Sequence, residues 1–479
     1  MAAPCAIMLD VDDKMNKVIA EGFSQDHVEI LQCLTKSFRE QDFRTGVEKG
    51  VFQNLWQILS KLSVEIRDFD SKKEGAESLI LRLQLIAECF RSLRNACVQC
   101  ARNQSLLRDM GFIEVSAEML EFLSELELEN TDCVLEALRC GIQFLGNLAV
   151  GNQVCKDDIW KHTFPHLFLK FLDHIDEKTS AYCSMVLYTC LDAEKVGDII
   201  LSEEVAMKVV SLCIKQPELD WGVLIVTQHF LKSFELVEKM FARLNNQERI
   251  TLLDLVTAQL GEAGEATEES GIPVRLAEFI ASCFEEHCKA VLTLVSDSSP
   301  KHEEALTVMR LLDILCEMTS DNKAFMDLQN YSELLKTTVE LLKEVHFLGK
   351  ANRNIFTTVQ NFSDMGAPSH PVVGFKAQLI RLIGNLCHNN ADNQNKVREL
   401  DGIALLLDNC NIDSNNPFIS QWAVFAIRSV MDHNLQNQEV LKGLERRGVA
   451  DDSSLREMGF RLEDRDGQLL LKPVSKETQ

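Results

Sequence analysis

The chain has 479 residues, 46% of them hydrophobic and only 7% aromatic, with 9 prolines, a balance suited to a large all-helical core. Lys plus Arg total 49 against 73 Asp plus Glu, a net charge of −24, and such a field repels phosphate backbones and anionic membrane surfaces. Nucleic acid is thereby excluded as a partner, and basic segments of other proteins are favoured. No stretch approaches the roughly 18 uncharged apolar residues of a spanning helix, so membrane insertion is not expected.

In chain order, residues 1–25 form a weakly patterned lead-in whose opening Met1 to Asp10 lacks the basic region of a secretory leader. Sixteen cysteines without such a leader predict a reducing, cytoplasmic setting. Most of them, such as Cys140, Cys190, Cys316 and Cys387, sit among Leu, Ile and Phe and read as small core residues. Helical patterning begins at His27, where Val28, Ile30, Leu31, Leu34 and Phe38 share one stripe. Val51 to Leu62 makes a second helix, residues 68–75 a polar connection, and Leu79 through Phe90, Leu93 and Cys97 a long apolar stripe.

That stripe carries a marker. Asn95 precedes Asn103-Gln104 by eight residues, and Asn385 precedes Asn393-Gln394 by the same eight. Asn147 precedes Asn152-Gln153 by five, which predicts a shorter turn in that repeat. Fainter copies follow at Leu187 to Leu191, and at Leu312 to Cys316 followed by Asp321-Asn322. Between Glu203 and Leu260 helices persist without the punctuation, a degenerate, HEAT-like end to a region spanning 26–260. An acidic Gly-rich break covers 261–271, helical repeats resume over 272–346, and 347–374 reads as an inserted loop rich in Gly, Asn, Ser and Pro.

Residues 375–449 then hold one repeat written almost twice. Aligning Ile383 to Leu386 on Ile427 to Val430 gives an offset of 44, and Asn393-Gln394 on Asn437-Gln438 gives 44 again. A period in the low forties with helical patterning and no strand signal belongs to armadillo and HEAT repeats. The long third helix, Phe375 to Cys387, the polar caps at Asp392 and Asn393, and the break at Asp401-Gly402 favour three helices per repeat, hence armadillo. The fold class predicted is an all-α, armadillo/HEAT-like α-solenoid, each repeat burying its apolar face on the next. After the block 375–460, with a helix expected at 453–458, alternation about Asp466-Gly467 predicts a small β-hairpin within 461–479 that caps the last repeat.

Chemistry is sparse. Cys97-Val-Gln-Cys100 is the only CxxC and falls inside an expected helix, so its thiols read as structural. Cys283, His287 and Cys288 face different sides of one helix, and no distant ligand set accompanies them. Phosphate loops, nucleophile elbows and paired catalytic carboxylates are missing from the sequence, so neither an enzyme nor a cofactor or metal site is expected. What recurs is Asn. Asn95, Asn147 and Asn385 occupy the third-helix position that faces a concave groove in armadillo repeats, where an amide offers a donor and an acceptor to a peptide backbone. The bland alternative is that each satisfies a neighbouring helix end inside the solenoid. Thr189, Ile314 and Ser429 break the series, so a continuous peptide ladder is not predicted.

Phe90 to Cys97 with Asn103-Gln104, Gly141 to Leu148, Leu244 to Leu255, Arg310 to Met318 and the 375–449 block together resemble the ataxin-10 family, from about residue 30 onward. The resemblance implies a non-enzymatic scaffold associated with neurite outgrowth, neuronal survival, Ras–MAP kinase signalling and cytokinesis. Implied partners are O-linked N-acetylglucosamine transferase and heterotrimeric G-protein β subunits, with self-association into a homo-oligomer. Implied locations are the cytoplasm and perinuclear region, the midbody, and the centrosome or basal body of the cilium. The competing reading is a peptide-binding adaptor or transport receptor that recognises basic segments through an Asn-lined acidic groove.

Overall fold

The computed structural model describes residues 23–69, 75–126, 132–262, 272–295, 302–320, 323–351, 353–359, 373–443, 460–465 and 468–473. The chain divides into two compact bodies, Met1–Arg243 and Leu244–Gln479. Their boundary lies inside the region that patterning alone treats as continuous from 26 to 260. Both bodies are stacks of helices with the armadillo-like repeat predicted from the 44-residue period.

In the first body the long helices Ala76–Cys97, Asp132–Ala149 and Glu177–Cys190 pack side by side in sequence order. Their buried stripes lock together through aromatic rings: Phe90 stacks on Phe144 with centroids 6.2 Å apart, and Phe112 meets Phe144 edge-on at 6.5 Å. Phe90, Phe112 and Phe144 are fully buried, each ring contributing about 2–3 kcal/mol through apolar surface removed from water. Close approach of the helices depends on glycine, since a Cβ on Gly141 would lie 2.8 Å from Leu120 Cδ2.

In the second body Asn246–Glu262, His302–Met318, Phe375–Cys387 and Ile419–Met431 follow one another in the same way. A Cβ on Gly384 would sit 2.7 Å from the Phe425 ring and 3.0 Å from the Ala426 Cα, so the last two long helices touch backbone to side chain at this residue.

The turns repeat in register across both bodies. Four residues after each marker the backbone enters the left-handed region: Gln99 (φ 50), Gly151 (φ 73), Asn389 (φ 54) and His433 (φ 52). The next helix starts two residues later, at Ala101, Gln153, Ala391 and Leu435. The shorter turn expected after Asn147 is therefore corrected. Asn152 is the helix cap, accepting from Cys155 N at 3.2 Å, as Asn390 accepts from Asn393 N at 3.0 Å and Asn434 from Asn437 N at 3.1 Å. Cys155 stands where Asn393 and Asn437 stand.

Other boundaries move by a few residues. The helix Asn246–Glu262 runs past the start of the acidic break, and residues 263–271 lie outside the described residues. The insertion predicted over 347–374 begins later, because Ser332–Ala351 is helical to its end. Residues 353–359 fold onto the turn after Asn409: Ser414 N donates to Val359 O (2.7 Å) and Val359 N to Asp413 Oδ1 (3.1 Å). Beneath that contact Lys376 Nζ meets Asp413 Oδ2 at 3.0 Å with both side chains almost wholly buried. Asn416 supports the pair by donating to the same Asp413 oxygen at 2.8 Å.

The C-terminal hairpin is present as two antiparallel strands, Phe460–Arg465 and Gln468–Pro473, with Leu462 opposite Leu471. The lead-in 1–22, Asp321-Asn322, the helix expected at 453–458, the Asp466-Gly467 turn and the tail from 474 lie outside the described residues.

Candidate protein-binding surface

The three asparagines singled out by spacing do one thing in common. Asn147 Nδ2 donates to Arg94 O (3.1 Å), Asn95 Nδ2 to Thr35 O (3.0 Å), and Asn385 Nδ2 to Cys316 O (3.1 Å) and Thr319 Oγ1 (3.0 Å). Each amide thus satisfies the last turn of the preceding long helix, whose carbonyls have no partner within that helix. Asn385 is buried, while Asn95 and Asn147 are half-buried. The donor half of each amide is committed inside the stack.

The second marker completes the circuit. Asn393 Nδ2 donates back to Leu386 O and to Gln329 O, both at 2.8 Å, and Gln394 Nε2 donates forward to Ser429 O at 2.9 Å. In the first body Asn103 reaches Ala96 O and Arg44 O, and Gln104 reaches Asn147 O and Val150 O. Gln329 plays the part of Gln104, donating to Asn385 O and His388 O, both at 3.0 Å. Sequence spacing missed Gln329 because no Asn precedes it.

On the solvent-facing side of the same long helices several charged groups are paired. Arg91 bridges Glu88 and Glu136, Arg94 reaches Gln143, and Arg139 Nε donates to Asp176 Oδ2 at 2.9 Å. Arg139 is the main reason the Asp176 carboxyl is held far below the usual carboxylate range, with the Thr179 hydroxyl and backbone N–H adding to it against the cost of burial. The second body repeats the theme with Arg381 to Glu317 at 2.9 Å, Gln378 to Asp313 at 2.8 Å and Arg310 to Asp254 at 2.6 Å. Arg381 also stacks its guanidinium on the Trp422 ring, 4.9 Å from the centroid. Guanidinium groups therefore pair with Glu88, Glu136, Asp176, Glu317 and Asp254 on these helices.

One stretch of this surface stays open. A groove of about 430 Å³ runs along Ile419–Met431, lined by His388, Gln421, Val424, Phe425, Arg428 and Asp432. Val424 is 53% exposed, and Arg428 is exposed without an ion pair among the described residues. A second opening beside Met431, His433 and Leu435 shares Arg428 and Asp432 with it. The mixture of apolar Val424 and Phe425 with a rim carrying both Arg428 and Asp432 suits a polypeptide partner. Single-sequence reading could have found Val424 as a β-branched residue off the buried stripe, but not the groove around it.

Most of the described cysteines are buried in the core, while Cys33 is exposed and Cys133, Cys213 and Cys410 are half-buried. Cys97 ends one helix and Cys100 caps the next, so the CxxC spans the left-handed turn at Gln99 and not a helix interior as predicted. Burial raises the Cys97 thiol well above its ordinary pKa and pushes Cys155 up to about 11. Among the described residues no group of His, Cys, Asp or Glu is placed to hold a metal ion, and no helix is long and apolar enough to cross a membrane.

Comparison with known proteins follows the same outline. A spinocerebellar ataxia type 10 protein domain matches residues 375–472. Ataxin-10 of Bos taurus is 44% identical over 94% of both chains, and ataxin-10 of Xenopus tropicalis is 44% identical over 99% of both. Among solved structures, Uso1-2 is 10% identical and covers 88% of this chain and 81% of its own, at a TM-score of 0.39. On identity at this level along nearly its whole length, the chain belongs to the ataxin-10 family.

Proposed function

We propose that this chain is a non-enzymatic scaffold that holds partner polypeptides on the solvent-exposed face of its long helices, chiefly in the Val424 and Arg428 groove. The observation that carries the reading is this open, mixed groove on a helical stack whose Arg139 and Arg381 are by contrast paired with Asp176 and Glu317. Roles in neurite outgrowth, neuronal survival, Ras–MAP kinase signalling and cytokinesis belong to the same proposal. So do binding of O-linked N-acetylglucosamine transferase, regulation of protein glycosylation by it, binding of a G-protein β subunit, and self-association. Residence in the cytoplasm and perinuclear region, at the midbody and at the centrosome or basal body completes it.

The adaptor reading, in which Asn95, Asn147 and Asn385 grip a basic peptide, has less support. Their amide donors already serve the neighbouring helix ends, and the carboxylates beside them face arginines. The deciding experiment is a quantitative pull-down from neuronal lysate with the intact chain, a Val424→Glu/Arg428→Glu variant and an Asn95→Ala/Asn147→Ala/Asn385→Ala variant. Loss of both named partners in the groove variant alone, with an unchanged melt, is the expected result. Loss only in a folded Asn variant returns the function to a peptide groove, and partner retention by both sinks the groove assignment.

A further inference from the structure

The Val424 groove lies between the end of Phe375–Cys387, which is followed by its lining residue His388, and Ile419–Met431, which supplies most of the remaining lining. Its shape therefore depends on how these two helices are held against each other. Midway along, Gly384 lets the Phe425 ring seat on the neighbouring backbone, since a Cβ there would lie 2.7 Å from that ring. At the far end Gln394 Nε2 donates to both Cys387 O (3.3 Å) and Ser429 O (2.9 Å). That tie belongs to the repeat, because Gln104 reaches Asn147 O in the same way.

At the near end the tie is of another kind. Lys376, in the first turn of Phe375–Cys387, meets Asp413 with side chains only 3% and 2% exposed. Asn416 closes the contact by accepting from Lys376 N (2.9 Å) and donating to Asp413 Oδ2 (2.8 Å), three residues before Ile419 opens the groove helix. Residues 353–359 lie across it as a strap: Val359 N donates to Asp413 Oδ1, Ser414 N to Val359 O, and Lys376 Nζ to Thr358 Oγ1 at 3.4 Å. The strap is also pinned where Phe356 O crosses Gly349, so closely that a Cβ there would lie 2.3 Å from that oxygen. These residues come from the insertion that the 44-residue period does not account for. A buried ion pair adds little net stability, yet leaving one partner charged and alone is costly, so the pair holds one geometry firmly.

We propose that the strap 353–359 and the buried Lys376–Asp413 pair form a latch that sets the Val424 groove and so regulates what binds there. Closed, the latch fixes the start of Ile419–Met431 against Phe375–Cys387 and holds Val424, Phe425 and Arg428 in their open arrangement. With the strap lifted, water reaches the pair, its attraction weakens, and the first turns of the groove helix lose their anchor. Lys376 and Asp413 are then positioning residues, acting on a partner only through the helix that carries the groove. The inference rests on the scaffold reading for what the groove is for, and on geometry alone for the latch.

The test is amide hydrogen–deuterium exchange of the full chain, read over 353–359, over 421–432 and, as a reference, over 132–149 in the first body. Val359→Pro removes the strap's N–H donor to Asp413 and alters neither helix. Lys376→Met is the second variant: it keeps the strap's own hydrogen bonds and removes only the ammonium. Expected in both is exchange about ten-fold faster over 421–432, with 132–149 unchanged, and in Val359→Pro the strap itself accelerates as well. Exchange over 421–432 that stays at the parent's rate in either variant overturns the latch. So does an equal acceleration of all described helices of the second body, which would mark the pair as merely structural. Exchange needs no partner, so if the latch behaves as expected while the parent chain holds neither named partner in the pull-down, the scaffold reading fails and the latch stands.

Discussion

The repeats around Asn95 and Asn147 and those around Asn385 and Ser429 run the same circuit with different parts. In both, a side chain at the start of the short helix donates to the carbonyl seven residues back and to the previous repeat, as Asn103, Asn393 and Asn437 do. After Asn147, however, Cys155 takes that place, offering only a thiol to Gln104 O at 3.7 Å. Gly374 caps one long helix at φ 89, and Phe418, 44 residues on, caps the next at φ 63 despite its bulk. The contrast teaches that the backbone path is fixed and the residue serving it is negotiable, at a cost in stability.

The sharpest way to break the comparison is at the circuit itself. Asn393→Ala leaves Leu386 O and Gln329 O without their buried donor and is expected to cost about 3 kcal/mol in urea unfolding. Cys155→Ala, losing one weak contact and a small volume, is expected to cost about 1–2 kcal/mol. Equal losses would mean the Asn does no more than fill space.

Next comes helix approach. Gly384→Ala drives a methyl into Phe425 and the Ala426 backbone and is expected to cost about 2 kcal/mol. Gly146→Ala meets only the flexible end of Met185 and is expected to cost less than about 1 kcal/mol, both read from thermal melts.

Asp176 supplies a smaller, pH-dependent effect, because it caps Glu177–Cys190 through Thr179 N (2.9 Å) while paired to Arg139. Asp176→Asn is expected to lower stability by about 1 kcal/mol at neutral pH. The folded pKa lies below the unfolded value of about 3.9, so this stabilisation is present above that value and is lost as pH falls through the folded pKa. The melting difference between parent and variant therefore shrinks in acid; a difference constant down to strongly acid pH would remove the carboxylate from the account. Smallest is Phe418→Gly, expected to stabilise by up to about 1 kcal/mol by relieving left-handed strain at a side chain that is 68% exposed.

Much of the fold was legible in the sequence, for definite reasons. The apolar stripes of Phe375 to Cys387 and Leu79 to Cys97 gave helices because burial on one side demands a 3.6-residue period. The Asn-Gln markers gave the repeat because carbonyls at every long-helix end need the same donors. Asn95, Asn147 and Asn385 were found as recurring positions, while the direction of their amides, toward the preceding helix, was open to either reading until the neighbours were in place. The turn after Asn147 was misjudged because Asn152-Gln153 repeats the letters of the marker at a capping position three residues early.

By itself, then, the sequence determined helix content, period, charge and family, all properties written in local order and composition. Only the tertiary structure decided which polar groups are spent and which remain. Lys376 and Asp413 are distant in sequence and buried as a pair, Arg381 stacks on Trp422 across a repeat, and Tyr188 gathers Trp221 and His229 from another helix. Such juxtapositions depend on how neighbouring repeats stack, since each surface is assembled from side chains some 40 residues apart that no local pattern relates.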